Sequence, residues 1–137
     1  MTILVVASGG FDPIHIGHVR YLQAAKELGD ELVVILNNDA WLTRKKGKPF
    51  MCFEERKEIL EALRCVDRVH RQISDVDDDV ELDLLCIRPN IFAKGGDRTA
   101  ENTAEKERCA SLGIDIVYGV GGDKIQSSSW LISSGGK

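Results

Sequence analysis

Residues 31–36 read Glu-Leu-Val-Val-Ile-Leu, unbroken and apolar after Glu31 and set between polar neighbours. A strand with one wet face alternates apolar and polar side chains. A run without alternation at this length marks a strand covered on both faces, as in a parallel sheet held between helices. The rest of the chain fits that frame. A β-rich run at 3–8 leads into a glycine-rich stretch at 8–17. Residues 17–28 then place His18, Tyr21, Leu22, Ala25 and Leu28 on one helical face, with Gly29 positioned to end the helix. A basic loop follows the second strand. Helical patterns at 53–64, 78–87 (closed before Pro89) and 101–112 are separated by strand patterns at 66–69, 90–93 and 114–118, and a short helix is expected at 127–133. Strand–helix alternation predicts an α/β fold, a three-layer doubly wound parallel sheet with right-handed crossovers. Ligands of such sheets bind outside the carboxyl ends of the strands, at the topological switch point. Segments 9–18, 94–97 and 119–129 follow strands one, four and five, so they are expected to converge on one crevice.

With 137 residues the chain holds one core and one domain. No apolar run approaches the ~20 residues of a membrane span, and no basic segment precedes the first apolar run, which ends in glycines and reads as structure. The four cysteines, Cys52, Cys65, Cys86 and Cys109, have no paired spacing, which favours reduced thiols in a cytoplasmic protein over a disulfide scaffold or zinc site. A net charge of −4 argues against general binding to nucleic acid or an anionic membrane. The charge is uneven. Arg44, Lys45, Lys46 and Lys48 form a basic knot beside Gly47 and Pro49, either a solvated loop or a mobile clamp for a polyanion, whereas the six acids between Asp75 and Asp83 read as a solvated loop or helix start.

The chemistry concentrates in Gly9-Gly10-Phe11-Asp12-Pro13-Ile14-His15-Ile16-Gly17-His18. Glycines after a strand let backbone N–H groups approach a phosphate, and the following helix adds its positive end. His18 falls in the first helical turn and is expected to point back over the strand ends. His15 lies in the loop before it, with Gly17 keeping the space between them open. Two imidazoles there suit hydrogen bonds to phosphate oxygens whose charge grows in a transition state. The plain alternative is two incidental loop histidines; a metal pair lacks both the helical zinc spacing and a third ligand. Ser127, Ser128 and Ser129 after Gly-Gly-Asp-Lys could cradle an anion or simply cap a helix. Arg56 shares a helical face with Leu60 and Leu63, so it either reaches inward or forms a surface ion pair.

On these residues the chain resembles the cytidylyltransferase-like nucleotidyltransferases, a family that includes glycerol-3-phosphate cytidylyltransferase, the choline- and ethanolamine-phosphate enzymes, and the nucleotidyl domain of ADP-heptose synthase. Leu22 to Asp30, the Asn38-Asp39 pair, Val66-Asp67 and Lys94-Gly95-Gly96-Asp97 also sit where that family has similar residues. The resemblance spans nearly the whole chain, as a complete protein or as one domain of a larger fusion, and implies a Rossmann-like sheet. It makes His15 and His18 binders of the triphosphate and stabilisers of the transition state, with Lys46 closing over the phosphates and Lys45 beside it. Gly9, Gly10, Phe11, Asp12 and Gly17 form the phosphate loop, in which Asp12 orders the metal–phosphate region. Lys94, Gly95 and Asp97 go to the nucleobase side, Asp97 accepting from the base's amino group, and Ser127, Ser128 and Ser129 hold the β- and γ-phosphates. No side chain is expected to be a dedicated metal ligand; Mg²⁺ is expected on the nucleotide phosphates. Three departures stand out: Gly10 where many relatives have threonine, Lys124 in place of an arginine, and Trp130 directly after the serines.

The implied reaction is in-line attack by an acceptor's phosphate or phosphonate oxygen on the α-phosphorus, with pyrophosphate leaving. An anionic acceptor needs no general base, and no activated protein nucleophile is evident. CTP is taken as the donor, with ATP (onto a sugar phosphate or FMN) as the alternative: Lys-Gly-Gly-Asp leans toward the ADP-heptose relatives, and the lack of a second domain toward the CTP enzymes. A homodimer is expected, with no nucleic-acid or membrane partner. Class I aminoacyl-tRNA synthetases also carry His-Ile-Gly-His, but 137 residues hold no anticodon domain and no lysine-rich second signature. A nucleotide-sensing module need not keep His15, His18 and Lys46.

Overall fold

The unbroken apolar run forms strand β2 (Glu31–Leu36), buried on both faces from Leu32 to Leu36. In the computed structural model, which describes residues 1–76, 79–95 and 103–122, it joins β1 (Leu4–Gly9), β3 (Arg68–Arg71), β4 (Ile91–Gly95) and β5 (Asp115–Val120) in one parallel sheet of order β3-β2-β1-β4-β5. Successive residues of a strand face opposite ways, so each strand feeds two cores. On one face Val5, Ala7, Val34 and Ala93 pack with Leu22 and Ala25 of α1 (Ile16–Lys26) and Leu60 of α3 (Phe53–Glu61). On the other, Val6, Val33, Ile35 and Phe92 pack with Leu84 of α4 (Glu81–Ile87) and Cys109 of α5 (Thr103–Leu112). This is the three-layer doubly wound parallel sheet that the alternation predicts, Rossmann-like as the resemblance implies and a single domain as the length implies. The switch point lies between β1 and β4, where connections leave in opposite directions.

The structure corrects the expected basic loop. Residues Asp39–Lys46 form a helix, α2. The Asn38 side chain caps it by accepting the Trp41 N–H at 2.8 Å; Asp39 sits in the first turn; Arg44, Lys45 and Lys46 fill the last turn; and Gly47 ends it at φ +92. Acids at the amino end and bases at the carboxyl end both favour the helix dipole. A helix of eight residues with one buried apolar side chain, Leu42, has too weak a hydrophobic period to stand out from a loop. The acidic run is also not wholly solvated, since Asp83 on α4 is fully buried. Other boundaries differ from expectation by up to three residues, and the helix expected at 127–133 lies outside the described residues. No helix among the described residues is long and apolar enough to cross a membrane.

Candidate active site

β1 runs into a turn that two glycines make possible. A Cβ on Gly9 would stand 3.1 Å from the Phe11 ring, and one on Gly10 would stand 3.0 Å from Leu42 Cδ2. A threonine at position 10 would therefore press on Leu42 of α2. Phe11 holds a positive φ of 50, a costly backbone state for a non-glycine residue, with its ring buried edge-on against His18. Surrounding bonds hold the turn in this shape. The buried Asp12 carboxylate accepts the N–H groups of Phe50 and Met51, each at 2.6 Å. Arg56, buried to 1% exposure, donates to Gly10 O, Asn37 O, Met51 O and the Asp39 carboxylate. One guanidinium thus ties the glycine turn, the end of β2, the start of α2 and the lead into α3. Five fixed donors in a plane suit this role, and lysine could not replace them.

The histidines close the amino end of α1 reciprocally. His15 is the N-cap: its Nδ1 accepts the Gly17 N–H at 3.1 Å, while His18 Nδ1 accepts the His15 N–H at 3.2 Å. This is a capping box made of imidazoles instead of Ser and Glu. Instead of the open space expected at Gly17, the rings stack with centroids 3.7 Å apart. The cap has a chemical consequence. A neutral imidazole that accepts at Nδ1 carries its proton on Nε2, so each ring is set as an Nε2–H donor. Burial, aided by His15 and Lys46, drives the His18 pKa from its ordinary 6.5 to about 3, which keeps the ring neutral.

Lys46 reaches this group from the last turn of α2, its Nζ 2.5 Å from the Asp12 carbonyl oxygen. Lys45 lies over Trp41 on the same helix. Gly9, Gly10, Phe11, Asp12, His15, Gly17, His18 and Lys46 therefore gather where the sequence placed them. Lys94 does not join them: it leaves β4 on the opposite face, over the Phe92 ring and 2.6 Å from Glu105 of α5. Strand alternation turned it away, while its neighbour Gly95 faces α1. Asp97, Ser127, Ser128, Ser129, Lys124 and Trp130 lie outside the described residues. Sequence reasoning left Arg56 undecided between core and surface, and took Tyr21 only as part of an apolar face. A charged residue in register with Leu60 was the signal for the first; nothing local signalled the second.

The family model described as cytidylyltransferase-like matches residues 6–126. The chain belongs to this family. It is 44% identical over 124 residues to the bifunctional protein HldE of Syntrophotalea carbinolica, covering 85% of this chain and 24% of that protein. It is 37% identical to the FAD synthase of Pyrococcus abyssi, covering 83% of this chain and 76% of that one. Among solved structures, the lipopolysaccharide core biosynthesis protein from Thermoplasma volcanium GSS1 superposes with a TM-score of 0.72 at 31% identity, over 86% of this chain and 94% of that one. The chain thus spans about a quarter of the length of its HldE relatives.

Proposed function

We propose that this nucleotidyltransferase moves a nucleoside monophosphate from ATP onto a small phosphorylated acceptor, a sugar phosphate or FMN, releasing pyrophosphate. The observation that carries the reaction type is the imidazole capping box. It engages Nδ1 of each ring with a backbone N–H and so leaves Nε2 to carry the proton beside a glycine turn and the positive end of α1, so the donors are oriented before the triphosphate arrives. Lys46 adds a cation on the same side. The acceptor oxygen attacks the α-phosphorus in line; His15, His18 and Lys46 stabilise the charge that grows there, and no proton need be removed from an anionic acceptor. Both Asp12 carboxylate oxygens are engaged by backbone N–H groups, so Mg²⁺ fits as a companion of the triphosphate, where it would offset charge on departing pyrophosphate.

ATP is preferred over CTP on two grounds. FAD carries an adenylyl group, and a FAD synthase is among the relatives. Lys94-Gly95-Gly96-Asp97 also leans toward the adenylyl side of the family. The test is pyrophosphate release with ATP and CTP crossed against glycerol phosphate, sugar phosphates, phosphoethanolamine, a hydroxyalkyl phosphonate and FMN. ATP with FMN or a sugar phosphate should turn over. Turnover with CTP alone would make the chain a cytidylyltransferase, and no release from any pair would remove the catalytic proposal.

A further inference from the structure

β1 and β4 pair only along Val5–Ala7 and Ile91–Ala93, although β1 continues to Gly9 and β4 to Gly95. Where the ladder stops, Tyr21 of α1 puts its hydroxyl between the strands: Oη donates to the Ala93 carbonyl at 2.6 Å and accepts the Ser8 N–H at 3.4 Å. The body of the residue packs against the neighbouring exits. A Cβ on Gly95 would stand 2.7 Å from Tyr21 Cδ1, and one on Gly121, just past β5, would stand 2.8 Å from Tyr21 Cα. Tyr21 also lies one turn along α1 from His18. One residue therefore adjoins the strand that enters the phosphate turn through its hydroxyl, the exit of β4 through its ring and the exit of β5 through its backbone.

We propose that Tyr21 is a positioning residue for the nucleotide: its hydroxyl sets the width of the seam between β1 and β4, so that the phosphate turn and the exits of β4 and β5 engage the two ends of one nucleoside triphosphate at once. This rests on the nucleotidyl-transfer proposal above. A phenylalanine here would fill the same space but leave the Ser8 N–H and Ala93 carbonyl to pair across a narrower seam or to stay unpaired. Each side of the crevice would then keep its own shape at the wrong spacing. The loss should fall on ligands that span the seam and spare those held at one side of it.

The test is calorimetric titration of the full chain with ATP, CTP and inorganic tripolyphosphate, in wild type and Tyr21→Phe. The variant should bind the preferred nucleotide about tenfold more weakly and tripolyphosphate within about twofold of wild type, with KM for the nucleotide rising more than kcat falls. Gly95→Ala, which pushes the β4 exit off the ring, should show the same selectivity and keeps the test open if Tyr21→Phe folds poorly. Equal weakening of nucleotide and tripolyphosphate, or no weakening of either, overturns the proposal, because ring packing alone would then be the role of Tyr21. A wild type that binds both ligands alongside unchanged variants sinks this inference alone. A wild type that binds neither removes the nucleotidyl-transfer proposal and this one together.

Discussion

At the glycine turn His15 and His18 stack ring on ring, each accepting a backbone N–H at Nδ1. At the sheet edge His70 of β3 instead sets its Nε2 2.8 Å from Asp83 Oδ1 on α4; that oxygen also accepts the Ile73 N–H, and the buried Oδ2 has no partner among the described residues. The same side chain is used in two ways. In the cap, backbone N–H groups occupy Nδ1 of each ring, so the proton sits on Nε2. At the edge, the contacting nitrogen is turned inward to a buried carboxylate and holds β3 to α4. The first arrangement readies imidazoles for a ligand, and the second meets a structural need. Substitutions should accordingly change turnover at one site and stability at the other.

The largest effect is expected at the cap. His18→Ala and His15→Ala should each lower kcat on the order of 10²-fold or more. His15→Ala should also cost ~1 kcal/mol in stability, because it removes an N-cap. His15→Asn separates the two roles: asparagine caps well, so the melting temperature should recover while kcat does not. His70→Ala is the counterpart, with a lower melting temperature and kcat within about twofold of wild type. A His70 variant as slow as His18→Ala would end the contrast between the sites.

Next in size is the lysine contrast. Lys46 is bonded to the phosphate turn through the Asp12 carbonyl, whereas Lys48 lies past the end of α2. Lys46→Ala should lower kcat/KM for the nucleotide roughly ten- to a hundredfold and Lys48→Ala less than about threefold. Small, equal losses would show that the basic residues are only a solvated surface. Smaller again is the pH response of His18. Its folded-state pKa of about 3 lies below the ordinary 6.5, so the stability tied to its neutral ring is complete above 6.5 and declines as pH falls from there toward 3. In an imidazole NMR titration His18 should keep its Nε2–H form from pH 8 to pH 5. A midpoint near 6.5 would contradict the buried donor.

Much of the site could be read from sequence because its parts are adjacent in the chain: a strand, two glycines and two histidines at a helix start give backbone geometry and chemistry together. The fold was legible for a similar reason, since Leu32 to Leu36 can only be a strand covered on both sides. What escaped depends on contacts between distant segments. Arg56 bonds to Gly10, 46 positions away in sequence, and Tyr21 to Ala93, 72 away. Whether Lys94 faces the crevice or α5 depends on strand parity, which an expected strand ending at residue 93, one short of Lys94, leaves open. α2 was missed because its stability comes from an asparagine cap and charge placement more than from an apolar stripe.

The smallest effect is expected at Asp83, where it most directly tests the structural half of the contrast. Burial pushes this carboxyl upward from its ordinary value of 3.8, against the opposing pull of the Ile73 N–H and His70. A carboxyl whose folded-state pKa is raised binds its proton more tightly in the folded chain. It therefore favours folding at low pH and loses that contribution as pH rises through the folded-state value. Asp83→Asn has nearly the same shape, can still accept the Ile73 N–H, and cannot ionise. Its stability at neutral pH should lie within about 1 kcal/mol of wild type, with kcat unchanged to within about twofold. The sharper measurement is the difference in melting temperature between the two proteins from pH 3 to pH 8, in which the other carboxyls cancel. The asparagine variant should gain on wild type as pH rises above 3.8, and the gain should level off once Asp83 is fully ionised in wild type. A difference that stays constant across the range would mean that burial does not shift this carboxyl.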